Sequence, residues 1–255
     1  MEYLLLRLYG TLASWGEIAV GESRHSAPYP SRSALLGLLG AALGVTRDDD
    51  GGQQALAQDY RLAVKLLSAG QLLRDYHTAQ APDSVGKFRY RTRRDELVVG
   101  RERLGTILSS REYRTDALAL VAVHAEAGAR WSLEQLAEAL GKPKFHLYLG
   151  RKSCPLGAPL NPQLLQATGF RQALNDYAPG ELLTGLPAWD GESRWLPRAD
   201  VSRYYWEGEA DAFDPGPDFD PAEVQTLIRH DQPLSRRRWQ FQPRREQLWL
   251  NREVG

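Results

Sequence analysis

Arginine lies close to histidine or an aromatic residue in several short stretches of the sequence. The stretch LLRDYHT brings Arg74, Tyr76 and His77 together within four residues. An arginine fork binds phosphate oxygens and a planar ring stacks on an unpaired base, so this combination is typical of proteins that bind single-stranded nucleic acid. Similar candidates occur in the first long loop and just after residue 149: Trp15, Arg24, His25, Arg32, Arg151 and Lys152. Trp15 fits two roles, a stacking platform or a buried anchor of its loop.

Another basic segment lies between residues 85 and 115, where nine basic residues stand against four acidic ones. Over residues 87–93 basic side chains alternate with Phe, Tyr and Thr. A period of two predicts a β-ribbon with the basic groups on one face. The candidate phosphate ligands from this segment are Lys87, Arg89, Arg91 and Arg111.

The whole chain of 255 residues has 32 basic and 32 acidic residues, and a net charge of zero argues against a polyanion partner. The local balance differs. Residues 229–252 have seven basic against two acidic residues, whereas residues 175–223 have twelve acidic against three basic. The neutral total is therefore a cancellation between positive and negative segments. For the acidic stretch 207–223 we consider two roles, repelling nucleic acid or docking on a basic neighbour.

Catalytic and metal-binding patterns are sparse. The single cysteine, Cys154, excludes an internal disulfide and any multi-cysteine zinc site, and the histidines do not occur at zinc-ligand spacing. No Gly-x-Ser-x-Gly elbow occurs. We expect no catalytic residue, no metal and no cofactor. One alternative stays open, a metal-independent ribonuclease that uses a histidine and a lysine from among His25, His77, Lys142 and Lys144.

The apolar segments are too short for a secretory signal or a membrane span. Arg7 interrupts the N-terminal apolar run, and residues 34–45 form an apolar run of twelve residues, whereas a spanning helix needs about 20. We expect a cytoplasmic protein with no membrane partner.

Hydrophobic periodicity predicts alternating strands and helices in the first half of the chain. Strands are predicted at 3–8, 61–67, 116–124 and 144–149. Helices are predicted after the helix-start residues Pro30, Ser31 and Ser33 and after the cap Ser132. This order predicts an α+β fold with a ferredoxin-like domain over residues 1–149 and a basic hairpin inserted at about 79–114. The sequence pattern of residues 150–255 predicts a small, mostly-β C-terminal domain. Its predicted strands are at 201–206, 239–241 and 247–250, and a short helix is predicted at 221–228.

Five sequence blocks resemble a known family. They are GTLASWGE (10–17), PSRSALLGLLGAALGVTRDD (30–49), LRDYHT (73–78), SREYRTDA (110–117) and YLGRKSCPLGAPL (148–160). In this order they resemble the fifth CRISPR-associated (Cas) protein family, in the form found in the type I-E surveillance complex Cascade. The resemblance covers residues 10–160 and is weak from residue 161 onward.

The resemblance implies a fold related to the RNA recognition motif (RRM-like) with a protruding β-thumb. It also implies a non-catalytic subunit that caps one end of Cascade and grips the 5′ handle of the crRNA. Its expected partners are the crRNA, the CasC backbone and the CasA large subunit, with target DNA reached only through the assembled complex. Members of this subtype leave RNA processing to CasE, but a sister subtype uses its family-five member as the nuclease. A third possibility is a structural adaptor whose basic segment contacts an acidic face of another subunit.

Overall fold

The computed structural model describes residues 1–19, 21–83, 89–180, 182, 196, 201–213 and 219–252. Five α-helices occur in this part of the chain: α1 (Arg32–Leu43), α2 (Asp50–Gln58), α3 (Arg93–Leu97), α4 (Leu133–Gly141) and α5 (Phe170–Asp176). The strands of the same ranges are β1 (Glu2–Ala13), β2 (Trp15–Gly16), β3 (Ser23–Arg24), β4 (Ser26–Ala27), β5 (Tyr60–Ser68), β6 (Gln71–Pro82), β7 (Leu104–Ala125), β8 (Gln163–Gln166), β9 (Val201–Trp206), β10 (Gln225–Ser235) and β11 (Gln240–Arg252).

One large sheet organises the molecule. Its central path runs β10-β11-β9-β5-β7-β1-β8, and β6 and β3 pair with β7 off this path. All neighbours on the central path are antiparallel, with Leu6 opposite Val121 and Val64 opposite the same Val121. The elements β1, α1, β5, β7, α4 and β8 follow one another in this order along the chain, with other elements between them.

The helices α1 and α4 begin where their caps predict. The Ser31 hydroxyl accepts a hydrogen bond from the Ala34 amide, and Ser132 and Gln135 form a reciprocal capping box. Both helices pack on one face of the sheet, where Leu38 and Leu136 join the alternate sheet residue Leu6 in the larger core. Each such buried leucine stabilises the fold by about 1.5–3 kcal/mol relative to an exposed one.

Aromatic residues cover the opposite face of the sheet. Trp206, Phe213 and Trp249 form a second core there with Tyr3 and Phe170, and the Trp206 and Phe213 rings stack with centroids 4.2 Å apart. Because the sheet is buried on both faces, eight consecutive residues of β1 are buried instead of alternate ones.

The predicted closing strand at 144–149 is wrong. Its backbone amides at Lys144 and Phe145 donate to Ala42 and Ala41 at the end of α1, at 3.0 Å each. Leu147 and Leu149 alternate because they point into the core from an irregular segment. β8 instead lies beside β1 at the edge of the sheet.

In the described residues of the C-terminal half, the strands predicted to form a small second sheet belong to the main sheet. Val201–Trp206 pairs with β5, and β11 pairs with it in turn, so these strands extend the main sheet across the predicted boundary at 149/150. The predicted strands at 239–241 and 247–250 fall in the single strand β11, except that Trp239 lies in the turn before it. The predicted helix at 221–228 is one short 3-10 turn, Pro221–Glu223, after which β10 begins.

The strands β6 and β7 form a long hairpin whose register runs from Gln71–Thr115 to Pro82–Leu104. The predicted β-ribbon at 87–93 is wrong as far as the described residues extend. Residues 89–92 have no regular structure and α3 begins at Arg93. Thr92 and Asp95 form a capping box there, a helix-start pattern that outweighs the alternation of basic and aromatic residues.

A buried ionic cluster joins the β10–β11 hairpin to the N-terminal half. Arg244 pairs with Asp231 at 2.6 Å and with Glu246 at 2.6 Å, and Glu207 pairs with both Arg244 and Arg32. The Asp231 carboxylate also accepts a hydrogen bond of 2.7 Å from the Arg32 amide at the start of α1. The acidic stretch therefore begins with a structural residue, Glu207.

Candidate nucleic-acid interface

Three separate segments meet at the base of the β6–β7 hairpin. β3 runs parallel to β7 and places Arg24 beside Arg111. β6 runs antiparallel on the other side of β7 and places Asp75 opposite Arg111 and Tyr76 opposite Ser110. Six of the predicted ligands are thereby gathered within a few residues of β7: Arg24, His25, Arg74, Tyr76, His77 and Arg111.

Strand alternation divides these residues between two faces of the hairpin. Arg74, Tyr76 and Glu112 share one face, which we call the Glu112 face. Arg111 shares the other face, the Arg111 face, with Arg24, Asp75 and His77.

Glu112 anchors the first of these faces. Its carboxylate accepts 2.8 Å from Arg74 Nη2 and lies 3.3 Å from His25 Nδ1. It also accepts a hydrogen bond of 3.3 Å from the Ser26 amide. The Glu112 side chain is 8% exposed, whereas the Arg74 side chain is 62% exposed. The buried carboxylate therefore fixes the position of a guanidinium that faces solvent.

The ionic surroundings of Glu112 keep it charged. Burial alone would raise the pKa of its carboxyl group, but hydrogen bonds from Arg74, the Ser26 amide and His25 outweigh burial and lower that pKa below 4.5. A charged Glu112 holds Arg74 and His25 in place. Because a guanidinium has five N–H donors and Glu112 takes one, Arg74 keeps donors directed toward solvent.

The Arg111 face has the larger number of basic side chains. His77 Nδ1 lies 3.2 Å from Asp75, and the guanidinium of Arg24 donates to the Gly21 and Ser23 carbonyls of its own loop. Further toward the sheet, Arg151 lies over the Tyr113 ring at 5.1 Å. The buried Nη1 of Arg151 has no hydrogen-bond partner among the described residues.

The turn that contains Arg151 is fixed by close backbone contact with the first loop. Gly150 has φ of +84°, and a Cβ there would lie 1.9 Å from the Ser14 carbonyl oxygen. The Ser14 amide in turn donates 3.0 Å to the Leu149 carbonyl. Only glycine fits this position, which places Arg151 and the exposed Lys152 beside the hairpin base.

Two predicted ligands lie in the interior. Trp15 is 4% exposed and packs in the larger core, so it is the buried anchor of its loop and not a stacking platform. Arg32 is buried, where it pairs with Glu207 and donates to the Ala57 and Tyr60 carbonyls. Its prediction as a phosphate ligand is wrong because α1 turns its first residue toward the ionic cluster.

The predicted ligands of the hairpin tip are only partly described. Arg89 and Arg91 are exposed and lie outside any strand. Lys87 lies outside the described residues. Neither Arg89 nor Arg91 joins the group at the hairpin base.

The sequence did not identify Glu112 as a site residue, because an acidic residue among basic ones is usually a solvated surface residue. One available signal is its position in SREYRT, where alternation along β7 places it on a different face from Arg111 and Tyr113.

Among the described residues no group of three or more His, Cys, Asp or Glu side chains could hold a metal ion. No helix within the described ranges is long and apolar enough to cross a membrane.

A sequence model of a CRISPR-associated protein family (Cas_Cas5) matches residues 3–246. The chain belongs to the Cas5 family. The predicted resemblance to the fifth Cas family is thus confirmed, and it reaches beyond residue 160. Over 185 residues the chain is 37% identical to the CRISPR system Cascade subunit CasD of Escherichia coli (strain K12), covering 69% of this chain and 77% of CasD.

Solved structures have a similar fold. A chain of a CRISPR RNA-guided surveillance complex superposes with a TM-score of 0.63 at 24% identity, covering 98% of this chain and 89% of that one. A crystal structure of a Cas protein has a TM-score of 0.57 at 26% identity, covering 98% of this chain and 92% of that one. The α/β architecture with one large antiparallel sheet is therefore that of the Cas5 family, C-terminal strands included.

Proposed function

We propose that this Cas5 chain is a non-catalytic, RNA-binding subunit of a CRISPR Cascade complex in antiviral defence. It holds the 5′ handle of the crRNA at the base of the β6–β7 hairpin and caps one end of the assembly. The identity to CasD supports the assignment to Cascade. Its other partners are the CasC backbone and the CasA large subunit, target DNA is met only through the assembled complex, and the compartment is the cytoplasm.

The observation that carries this proposal is the convergence of Arg24, Arg74 and Arg111 beside Tyr76. Tyr76 is 62% exposed, so its ring is accessible for stacking on an unpaired base. The arginines lie on both faces of a ribbon, and a single strand that crosses the ribbon meets phosphate ligands on each side. Arg151 extends the basic surface with a buried Nη1 donor that lacks a partner in the described part of the chain.

We infer that β1, α1, β5, β7, α4 and β8 form a ferredoxin-like, RRM-like unit. In that unit β1 lies between β7 and β8, and β5 lies on the outer side of β7. The β6–β7 hairpin corresponds to the thumb of the family, and its base is the part that grips RNA.

The test uses two double variants of the hairpin base. Arg24→Gln with Arg111→Gln removes two phosphate ligands from the Arg111 face, and Arg74→Gln with Tyr76→Ala alters the Glu112 face. We expect each to weaken binding of handle-containing RNA by about fivefold or more, since one stacked base is worth about 1–3 kcal/mol. The arginine pair should also reduce the slope of log affinity against log salt by about 1.4, at about 0.7 per phosphate contact.

The control is Arg61→Gln with Arg171→Gln, which removes the same two positive charges as the arginine pair but far from the hairpin. Arg61 pairs with Glu126, and Arg171 lies over Trp249 on the opposite face of the sheet. Fluorescence anisotropy measures affinity and thermal unfolding checks the fold. Equal affinities for the hairpin variants and this control would contradict the proposal.

A metal-independent endoribonuclease that processes repeat RNA is the second candidate. The observation in its favour is that His25 and His77 each lie beside a carboxylate, Glu112 and Asp75, a pairing that can orient a general base. Lys142 and Lys144 follow α4, where the Lys144 amide bonds to α1. Incubation of the protein with labelled repeat RNA in EDTA decides between the two, and a cleaved product that disappears in His25→Gln would establish the nuclease.

A further inference from the structure

The second basic segment of the sequence, residues 229–252, forms most of the β10–β11 hairpin. The tip of this hairpin is not part of the proposed handle site. The turn between β10 and β11 consists of Arg236, Arg237, Arg238 and Trp239. Trp239 is 58% exposed and has a φ of +57°, a left-handed conformation that is costly for a bulky residue. An exposed ring held in an unfavourable backbone conformation points to a role for the side chain.

A cleft separates this tip from α1 and from the segment 145–150. Its volume is about 860 Å3, within the usual range of ligand sites. Gly37, Ala34 and Ala41 of α1 form part of one wall, and Phe145 and Trp239 supply exposed rings elsewhere in the lining. The lining continues to Ser14, Gly16 and Lys152, so one end of the cleft reaches the first loop and the turn of Arg151.

The charge of the cleft is positive. Arg47, Arg236 and Lys152 line it, and the described lining residues include no carboxylate. None of these three cations forms an ion pair with a described residue. Burial and the neighbouring Arg47 lower the pKa of Arg236 to about 10, and Tyr148 offsets this only in part.

Arg47 and Trp239 are in contact within the lining of the cleft, and the 58% exposure of Trp239 leaves part of its ring open to solvent. The Arg47 guanidinium carbon lies 4.8 Å from the centre of a Trp239 ring. Arg236 is fixed at the other side by donating to the Ser33 carbonyl of α1. A base that stacks on Trp239 would therefore have guanidinium groups within reach of its phosphate.

We propose that this cleft is a second subsite for single-stranded RNA. One base stacks on Trp239, and the adjoining phosphates bind Arg47 and Arg236. Uncompensated positive charge and exposed rings favour a nucleotide over a protein segment, which would need acidic side chains to complement the arginines. The subsite goes beyond the handle site and relies on the proposed function only for RNA as the ligand.

The experiment compares Trp239→Ala, Trp239→Phe and Arg47→Gln with the wild-type chain. The probes are a fluorescein-labelled single-stranded RNA that is long enough to span the hairpin base and the cleft, and the same RNA annealed to its complement. We expect Trp239→Ala to weaken single-strand binding by about fivefold or more and Trp239→Phe to retain most of the affinity. Arg47→Gln should reduce the salt slope by about 0.7, the value for one phosphate contact.

Arg130→Gln is the matched control, because Arg130 also lies over a tryptophan, Trp131, at 4.7 Å but outside the cleft. Duplex RNA should bind with no sensitivity to Trp239, since its bases are already stacked. Unchanged single-strand affinity in Trp239→Ala and Arg47→Gln overturns the subsite, including the case in which the cleft binds a protein segment. If only the hairpin-base variants lose affinity, the cleft subsite is wrong but the proposed function stands. The failure of the subsite can therefore be distinguished from the failure of the proposed function.

Discussion

Glu112 organises the hairpin base, although its negative charge has the same sign as that of RNA phosphates. Its buried carboxylate holds Arg74 and His25, which come from segments far apart in the chain. Without Glu112 the side chains of Arg74 and His25 would be free to turn toward other hydrogen-bond acceptors. A fixed arginine loses less entropy when it binds a phosphate, so the acid prepares the basic site.

Glu112→Gln should destabilise the protein by about 1.5–3 kcal/mol at neutral pH, the usual range for hydrogen bonds to a charged group. Because the pKa of Glu112 is lowered in the folded state, its contribution is present above the unfolded value and is lost as the pH falls through the folded value. Urea denaturation of both proteins should therefore show a difference in unfolding free energy that shrinks below about pH 4.5. A difference that stays constant with pH would contradict this role.

Gly150→Ala should cost far more stability than Gly128→Ala. Both glycines have a positive φ, +84° and +83°, so the backbone strain of about 1–3 kcal/mol is common to them. Only at Gly150 does the new methyl group meet an atom, the Ser14 carbonyl oxygen. Denaturant midpoints measure the two losses, and equal losses would show that the first loop does not hold the Arg151 turn in place.

At the scale of elements, the β6–β7 hairpin has a base that joins the core sheet and a tip whose described residues, 83 and 89–103, bury no side chain. Neither α3 nor the 3-10 turn Arg101–Arg103 buries a side chain. The base, in contrast, ends in the buried residues Ala117 and Leu118 of the sheet. The tip is therefore available for contacts with other molecules.

Replacing residues 83–103 by an Asn-Gly turn should leave the melting temperature within a few degrees of the wild type, because a two-residue turn closes an antiparallel hairpin well. The change removes seven basic and four acidic residues. RNA affinity should fall similarly for all sequences, and its salt dependence should weaken. An unchanged salt dependence would show that the tip does not contact RNA.

Sequence periodicity predicted the helices that pack against the sheet. It failed where contacts with distant segments determine the local structure. Caps and leucine spacing located α1 and α4, since those signals are local. The segment 144–149 alternates like a strand, but its amides bond to the end of α1, a contact that no local pattern reveals. For the candidate site, the local sequence pointed to Arg24 and Arg74, which β3 and β6 bring to the hairpin base. The buried position of Arg32, in contrast, depends on Glu207, far away in the chain.

At the scale of the whole molecule, the charges that cancel in the sequence lie in two different environments. Part of the acidic and basic excess is buried in the cluster of Arg32, Glu207, Asp231, Arg244 and Glu246, where it joins the two halves of the chain. The remaining arginines at the hairpin base and at the β10–β11 tip are on the surface. The neutral total thus conceals basic surfaces in separate places.

Glu207→Gln should destabilise the protein by about 3–5 kcal/mol, because it leaves the buried Arg32 and Arg244 without a shared counterion. Glu209→Gln, an exposed substitution two residues away, should change the unfolding free energy by less than about 0.5 kcal/mol. Chemical denaturation monitored by tryptophan fluorescence measures both. Similar small effects would mean that the cluster is not needed to hold the C-terminal strands.

Photo-crosslinking tests the central claim most directly. A crRNA with 4-thiouridine in its 5′ handle is assembled with the chain and the other Cascade subunits, irradiated and digested with trypsin. The account predicts that the handle crosslinks to the tryptic peptide 75–87, which contains Tyr76 and His77. Crosslinks from the handle to other subunits only, with none to this peptide, would contradict it and favour a structural adaptor.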